Sequence, residues 1–186
     1  MLTLLLRTID ALGYVGAAGA ALACAALAVM LVVEVIATSF LAWSQPWAVE
    51  YASYFLALTL FLGSAWALRT GGHIRVSALL ALVPPRVARL IDLAGSIFAL
   101  GVIGWVAVAL VSQALRTLEL GSVSYYPSRT PLVYPQALLA LGFVLLALAF
   151  LARVLRLAVG LAPEAPFTPP VSGNGPPDAF EGRSEP

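Results

Sequence analysis

The sequence is short of most groups from which soluble proteins build chemistry. Its 186 residues include one cysteine, Cys24, one histidine, His73, and no lysine, all ten basic residues being arginine. A lone cysteine excludes an internal disulfide, a Cys-x-x-Cys redox pair and a zinc knuckle. With them goes the quinone-linked type of thiol-oxidising enzyme, which also has four spans but needs cysteine pairs. A lone histidine excludes a haem held between two histidines of this chain and any histidine-rich metal site. Nor is there a nucleophile beside a base, a pair of intramembrane carboxylates or a phosphate-cradling glycine loop. No catalytic role and no cofactor are expected. Charge is scarce as well: 10% of residues are charged and 61% hydrophobic, where a soluble domain has about 25% and about 45–50%. The net charge of +1 gives no reason to expect nucleic acid as a partner.

What is present is apolar sequence in long runs, with a mean hydropathy of +0.97. Four uncharged stretches, 11–33, 51–68, 93–115 and 130–152, each have the roughly 17–25 residues that cross about 30 Å of hydrocarbon as a helix. The expected fold is all-α and integral to the membrane, with spans at about 11–40, 48–69, 90–115 and 131–154 in one domain, residues 1–162. The first run is too long for a signal-peptide core and continues to Trp43 without a cleavage site. Residues 163–186, rich in Pro, Gly, Ser and acids, read as a disordered tail.

Arginine placement predicts orientation. Arg7, the group Arg69, Arg75, Arg86 and Arg89, and the pair Arg153 and Arg156 fall on one side of the four spans, against Arg116 and Arg129 on the other. The positive-inside rule then puts both termini and the central loop in the cytoplasm. Trp43, Trp47, Tyr51 and Tyr54 around one outer loop, and Tyr125, Tyr126 and Tyr134 around the other, fit an interfacial belt. Between the second and third spans, Gly71-Gly72 marks a turn, and residues 74–83 are too short to span. Pro84-Pro85 then breaks the chain and can open a new helix, on which Arg86, Arg89 and Asp92 share a polar side. An interfacial amphipathic segment is expected here.

Glu34 is the carboxylate that interrupts a hydrophobic run, and an acid at bilayer depth is a functional suspect by default. It lies about 34 Å beyond Ala11 along a helix, which is already the outer interface. Two readings stand: a structural role there, or a partner-facing or ion-linked one. Gly16, Ala20, Cys24 and Ala28 recur at four-residue spacing, a pattern that lets helix backbones approach closely, so this face is expected to pack on another helix. Four spans with one intramembrane acid are poor equipment for an independent transporter, which usually carries inverted repeats and interrupted helices. The residues alone indicate a scaffold or subunit; the alternative is a free-standing small exporter or channel using Glu34.

One stretch goes further. Trp47-Ala48-Val49-Glu50-Tyr51, the second span, and Gly63-Ser64-Ala65-Trp66 leading into Arg69-Thr70-Gly71-Gly72-His73-Ile74-Arg75-Val76 resemble the small membrane subunit of tripartite ATP-independent periplasmic (TRAP) transporters, the DctQ-like family. The Pro84-Pro85-Arg86 break and a Gly-containing fourth span at Gly142 are similar too, so the resemblance runs from about Arg7 to Arg156. Ser77 stands where the family commonly has an acid.

The resemblance implies a subunit of an inner-membrane importer driven by an ion gradient. Its partners would be a large membrane subunit holding the substrate and ion sites, a periplasmic solute-binding protein, and phospholipids. Arg69, His73 and Arg75 would hold lipid phosphates or helix C-terminal carbonyls at the cytoplasmic interface. Trp47 and Glu50 would anchor the second span on the outer face or meet the binding protein. Glu34, Gly63 and this group are the candidate interface or anchoring residues, and Gly16, Ala20 and Cys24 the candidate packing residues.

Overall fold

The computed structural model describes residues 1–41, 43–72 and 83–164. Four α-helices follow one another: α1 (Leu2–Leu41), α2 (Ala48–Arg69), α3 (Pro85–Leu120) and α4 (Val133–Val159). Each is long and apolar enough to cross a membrane, and the described residues form no strand beyond an isolated bridge between Val123 and Pro131. His73, Arg75 and most of the expected amphipathic segment, residues 73–82, lie outside the described residues, as does the tail from 165.

Local sequence explains where the helices begin and end. α1 stops before Ser44-Gln45-Pro46, where proline cannot continue the ladder. Pro84, extended at φ −56° and ψ 148°, precedes Pro85 at the first helical position, where its missing N–H costs nothing. α3 and α4 each close on a glycine in the left-handed region, Gly121 and Gly160. The chain then turns back so that Ser122 N–H donates to the Thr117 carbonyl (3.3 Å) and Leu161 N–H to the Arg156 carbonyl (2.9 Å). Helices also outrun the apolar stretches. α1 starts at Leu2 rather than near Ala11 and α3 at Pro85 rather than near residue 90, because backbone hydrogen bonding does not stop where hydropathy falls.

α1, α2 and α4 pack mutually, and α3 packs on α4 alone among the described helices. The three-helix contact is close because small residues line it. A methyl group at Gly16 would lie 2.7 Å from the Leu62 carbonyl oxygen, and one at Gly142 would lie 2.9 Å from the Phe61 carbonyl carbon. Around these crossings Ala20, Leu62, Ala65 and Leu145 form one buried cluster; Leu6, Ile9 and Ala152 form another nearer the termini. Outward faces are apolar too: Leu22, Val29, Phe98, Trp105 and Val108 are exposed, as suits helices whose solvent is hydrocarbon.

The small-residue stripe bends away from its four-residue spacing. Gly13, Gly16, Ala20 and Ala23 are buried, whereas Cys24 is exposed. Four residues advance about 40° beyond a full turn, so two such steps carry Cys24 about 80° off the contact while Ala23 returns to within about 20° of it. Gly63 meets α1 at the same crossing, its missing methyl position 3.3 Å from Ala20 Cβ.

Candidate functional site

The polar residues gather at the two ends of the bundle. At the end where α1 begins and α4 finishes, the buried stripe of α4 that passes through Gly142, Leu145 and Ala152 continues into Arg153 and Arg156, both buried. Arg153, 2% exposed, is surrounded by acceptors. Its Nη2 donates to both Asp92 oxygens (2.9 and 2.8 Å), Nη1 to Glu164 (2.9 Å) and Nε to Ser96 Oγ (3.1 Å). Asp92 and Ser96 are one turn apart on α3, so a single guanidinium fork ties α3, α4 and the segment after α4 together. One turn beyond Arg153, Arg156 donates from Nη2 to both oxygens of Asp10 on α1 (2.8 and 2.7 Å). Asp10 also accepts from Arg69 Nε at the end of α2 (3.3 Å), and Arg69 Nη1 reaches the Pro163 carbonyl (3.3 Å).

All four helices therefore meet through Asp10, Arg69, Asp92, Arg153 and Arg156. Arg89 adds a bond to the Leu157 carbonyl (2.5 Å) in the last turn of α4, where the helix dipole favours a cation. The polar side of α3 expected from Arg86, Arg89 and Asp92 is thus split. Arg86 is exposed, while Arg89 and Asp92 are directed at α4.

Arg69, one of the residues expected at this interface, pairs within the chain with Asp10 and the Pro163 carbonyl. Asp10 was not singled out from sequence, and Asp92 was placed only on the polar side of α3. The available signal was that Asp10 extends the Gly13–Gly16–Ala20 stripe by one turn and that Arg153 and Arg156 extend the small-residue stripe of α4.

At the opposite end two carboxylates hold two loops. Glu34, half-buried, accepts from Ser44 Oγ (3.0 Å) and from the Gln45 backbone N–H (3.1 and 3.3 Å), fastening the α1–α2 connection back onto α1. Glu50, in the first turn of α2, is 1% exposed. It accepts from the Tyr54 hydroxyl (2.6 Å) and from Ser128 Oγ in the α3–α4 connection. That connection is folded on itself, with Ser124 N–H donating to the Thr130 carbonyl (2.9 Å) and Leu132 N–H to the Ser122 carbonyl (3.1 Å). Thr130 Oγ1 also donates to the Tyr51 hydroxyl (3.3 Å). Trp47, Tyr51 and Tyr54 stack edge to face at 5.9 Å steps along successive turns at the start of α2.

Glu50 is buried beneath the α3–α4 connection, and its contacts there are with its own chain. Trp47 remains exposed. Chemically, both ends are joints: carboxylates, hydroxyls and guanidinium groups engaged in holding elements of this chain to one another. Among the described residues no group of three or more His, Cys, Asp or Glu side chains is placed to hold a metal ion.

Comparison with curated proteins and with solved structures returns no match. The family model described as "Tripartite ATP-independent periplasmic transporters, DctQ component" matches residues 27–160, more than half of the chain, including α2, α3, α4 and residues 27–41 of α1. With four membrane-crossing helices and that match, the chain belongs to the DctQ family and is a transport protein of the TRAP type.

Proposed function

We propose that this subunit is a static scaffold. It would support a large membrane subunit that carries an organic acid or related small solute inward, driven by an ion gradient, with a periplasmic solute-binding protein delivering the solute. The observation that carries this reading is the closure of both ends. An element that moved during transport would have to break the Arg153 fork or the Asp10 pairs in every cycle, leaving a buried guanidinium without its carboxylate. The polar groups are spent on internal joints, while the outward faces are apolar and suit lipid or a second membrane protein.

Both termini lie in the cytoplasm of the inner membrane on this reading, the arginine-rich joint is the cytoplasmic end, and the Glu50 joint is periplasmic. His73 and Arg75, close to the arginine-rich end in sequence, anchor the central loop to lipid phosphates. Glu34 has a structural role, since both its carboxylate oxygens face the loop it holds.

The test is co-expression with the large-subunit gene. Affinity-tagged chain should retain that subunit through size exclusion, and uptake into liposomes should need both membrane subunits together with the binding protein. Failure to co-purify in several detergents and in lipid nanodiscs overturns the scaffold reading. Solute movement by the purified chain alone, lost in Glu34→Gln, would establish the exporter or channel instead. Arg69→Ala and His73→Ala should lower the yield of complex; normal yield and uptake would remove their anchoring role.

A further inference from the structure

Between the tight crossing at Gly16 and the Glu34 joint, α1 and α2 part around an open groove of about 500 Å³. Leu27, Leu31 and Glu34 line it from α1 and Ala48, Ala52 and Leu56 from α2, each set at the spacing of one helix face. The groove is deep because two of the α2 residues are alanines. Its walls are apolar except for Ser53, whose hydroxyl donates to the Val49 carbonyl (3.0 Å), and for the loop end, where Glu34 stands about 10 Å along the helix axis from Leu27.

Two features of that carboxylate matter. Ser44 and Gln45 give it three neutral hydrogen bonds, two on Oε1 and one on Oε2, leaving acceptor capacity on a group with about four lone-pair sites. No cation lies within ion-pair distance of it among the described residues. The charge is fixed in place but not neutralised. Its depth is marked independently by Trp43 and Trp47, which are exposed on the connection just beyond it, where indole rings settle at the headgroup level of a bilayer.

We propose that this groove is a phospholipid site with headgroup selectivity. One acyl chain lies against Leu27, Leu31 and Leu56, and a primary ammonium headgroup, as in phosphatidylethanolamine, pairs with Glu34. An open apolar groove facing hydrocarbon takes up acyl chains, and the carboxylate decides which head follows. An ammonium supplies both the positive charge and an N–H donor for the free lone pair on Oε2. A choline head has the charge but no N–H, and an anionic glycerol head is repelled. The inference rests on the four helices spanning a membrane and not on the choice of protein partners.

The experiment is native mass spectrometry of the full chain, purified in mild detergent. The probes are phosphatidylethanolamine, phosphatidylcholine and phosphatidylglycerol with identical acyl chains. Wild-type chain should retain the ethanolamine lipid several-fold more than the other two. Glu34→Gln should bring it down to the choline level, and Ala52→Phe, which fills the groove and keeps the carboxylate, should reduce retention of all three. Circular dichroism and thermal unfolding of both variants separate loss of the site from loss of the fold.

Equal retention of the three lipids by wild-type chain, or unchanged ethanolamine retention in folded Glu34→Gln, overturns the proposal. In the assembled transporter, an Ala52→Cys chain that cross-links to the large subunit would show that a protein helix fills the groove, and would overturn it too; absence of that cross-link supports the lipid. A failure of the scaffold reading would appear separately, as failure of the subunits to co-purify.

Discussion

Where Asp10, Asp92, Arg69, Arg153 and Arg156 meet, the helices are joined by guanidinium forks on carboxylates, charge against charge. At the other end Glu34 and Glu50 do comparable work with a phenol, serine hydroxyls and a backbone amide, and no arginine takes part. The contrast follows from where arginine can be used. If topology keeps basic residues on one side of the membrane, that side has forks available for buried pairing and the other must pin its loops with neutral donors. An arginine fork supplies several fixed donors from one side chain, so Arg153 alone reaches three acceptor residues, whereas the Glu50 joint needs residues from two segments of chain.

The largest effect is expected from removing the fork that joins most elements. Arg153→Ala leaves Asp92 and Glu164 without this partner in a site where Arg153 is almost wholly buried, and truncating one member of such a group costs about 3–5 kcal/mol. Unfolding in mixed detergent micelles should register that loss, and α3, which among the described helices packs on α4 alone, should be the first helix released. Protease cleavage near residues 83–92 would report it. Arg153→Lys keeps the charge but cannot reproduce the bidentate contact with Asp92 while also reaching Ser96 and Glu164, so it should fall between wild type and Arg153→Ala. If the lysine variant matches wild type, charge alone suffices and the contrast between the two ends loses its basis.

A smaller effect is expected at the other end. Glu50→Gln keeps the shape and one acceptor oxygen but loses the charge-assisted bonds from Tyr54 and Ser128, a cost of about 1–3 kcal/mol. The loss should be local: faster hydrogen exchange across residues 122–132, with the exchange of Arg153 and its neighbours unchanged. Exchange that rises at both ends would mean the bundle behaves as one cooperative unit, and the two joints could not be treated as separate.

Much of the architecture could be read from the sequence because it is written in local patterns. Four apolar runs become four helices, Pro84-Pro85 opens α3, and Gly71-Gly72 follows the end of α2. Joints are not local. Asp10 and Arg156 are 146 positions apart, and no periodicity within either helix names the other. The residue types even pointed elsewhere: Arg153 and Arg156 read as an orientation signal, and Glu50 as a residue that anchors the second span or meets another protein, because a run of hydropathy says which residues avoid water and not which polar groups a loop will cover. Cys24 shows the same limit on a smaller scale. Its four-residue spacing matched the packing stripe, but the true helical repeat turned it outward.

Arginine count and arginine burial can be separated, and the weakest expected effect does so. Arg116, near the end of α3 on the Glu50 side, is exposed and makes no contact comparable to the forks. Substitutions at such positions usually change stability by less than about 0.5 kcal/mol, so Arg116→Gln should leave the unfolding midpoint near that of wild type. Arg86, exposed at the arginine-rich end, should behave the same way in Arg86→Gln, although it lies only a few residues before Asp92. What distinguishes Arg153 is then its own burial among its partners and not the side of the membrane it occupies. A marked loss of stability in Arg86→Gln, with Arg116→Gln unaffected, would reverse that conclusion and assign the difference between the ends to the total positive charge gathered at one of them.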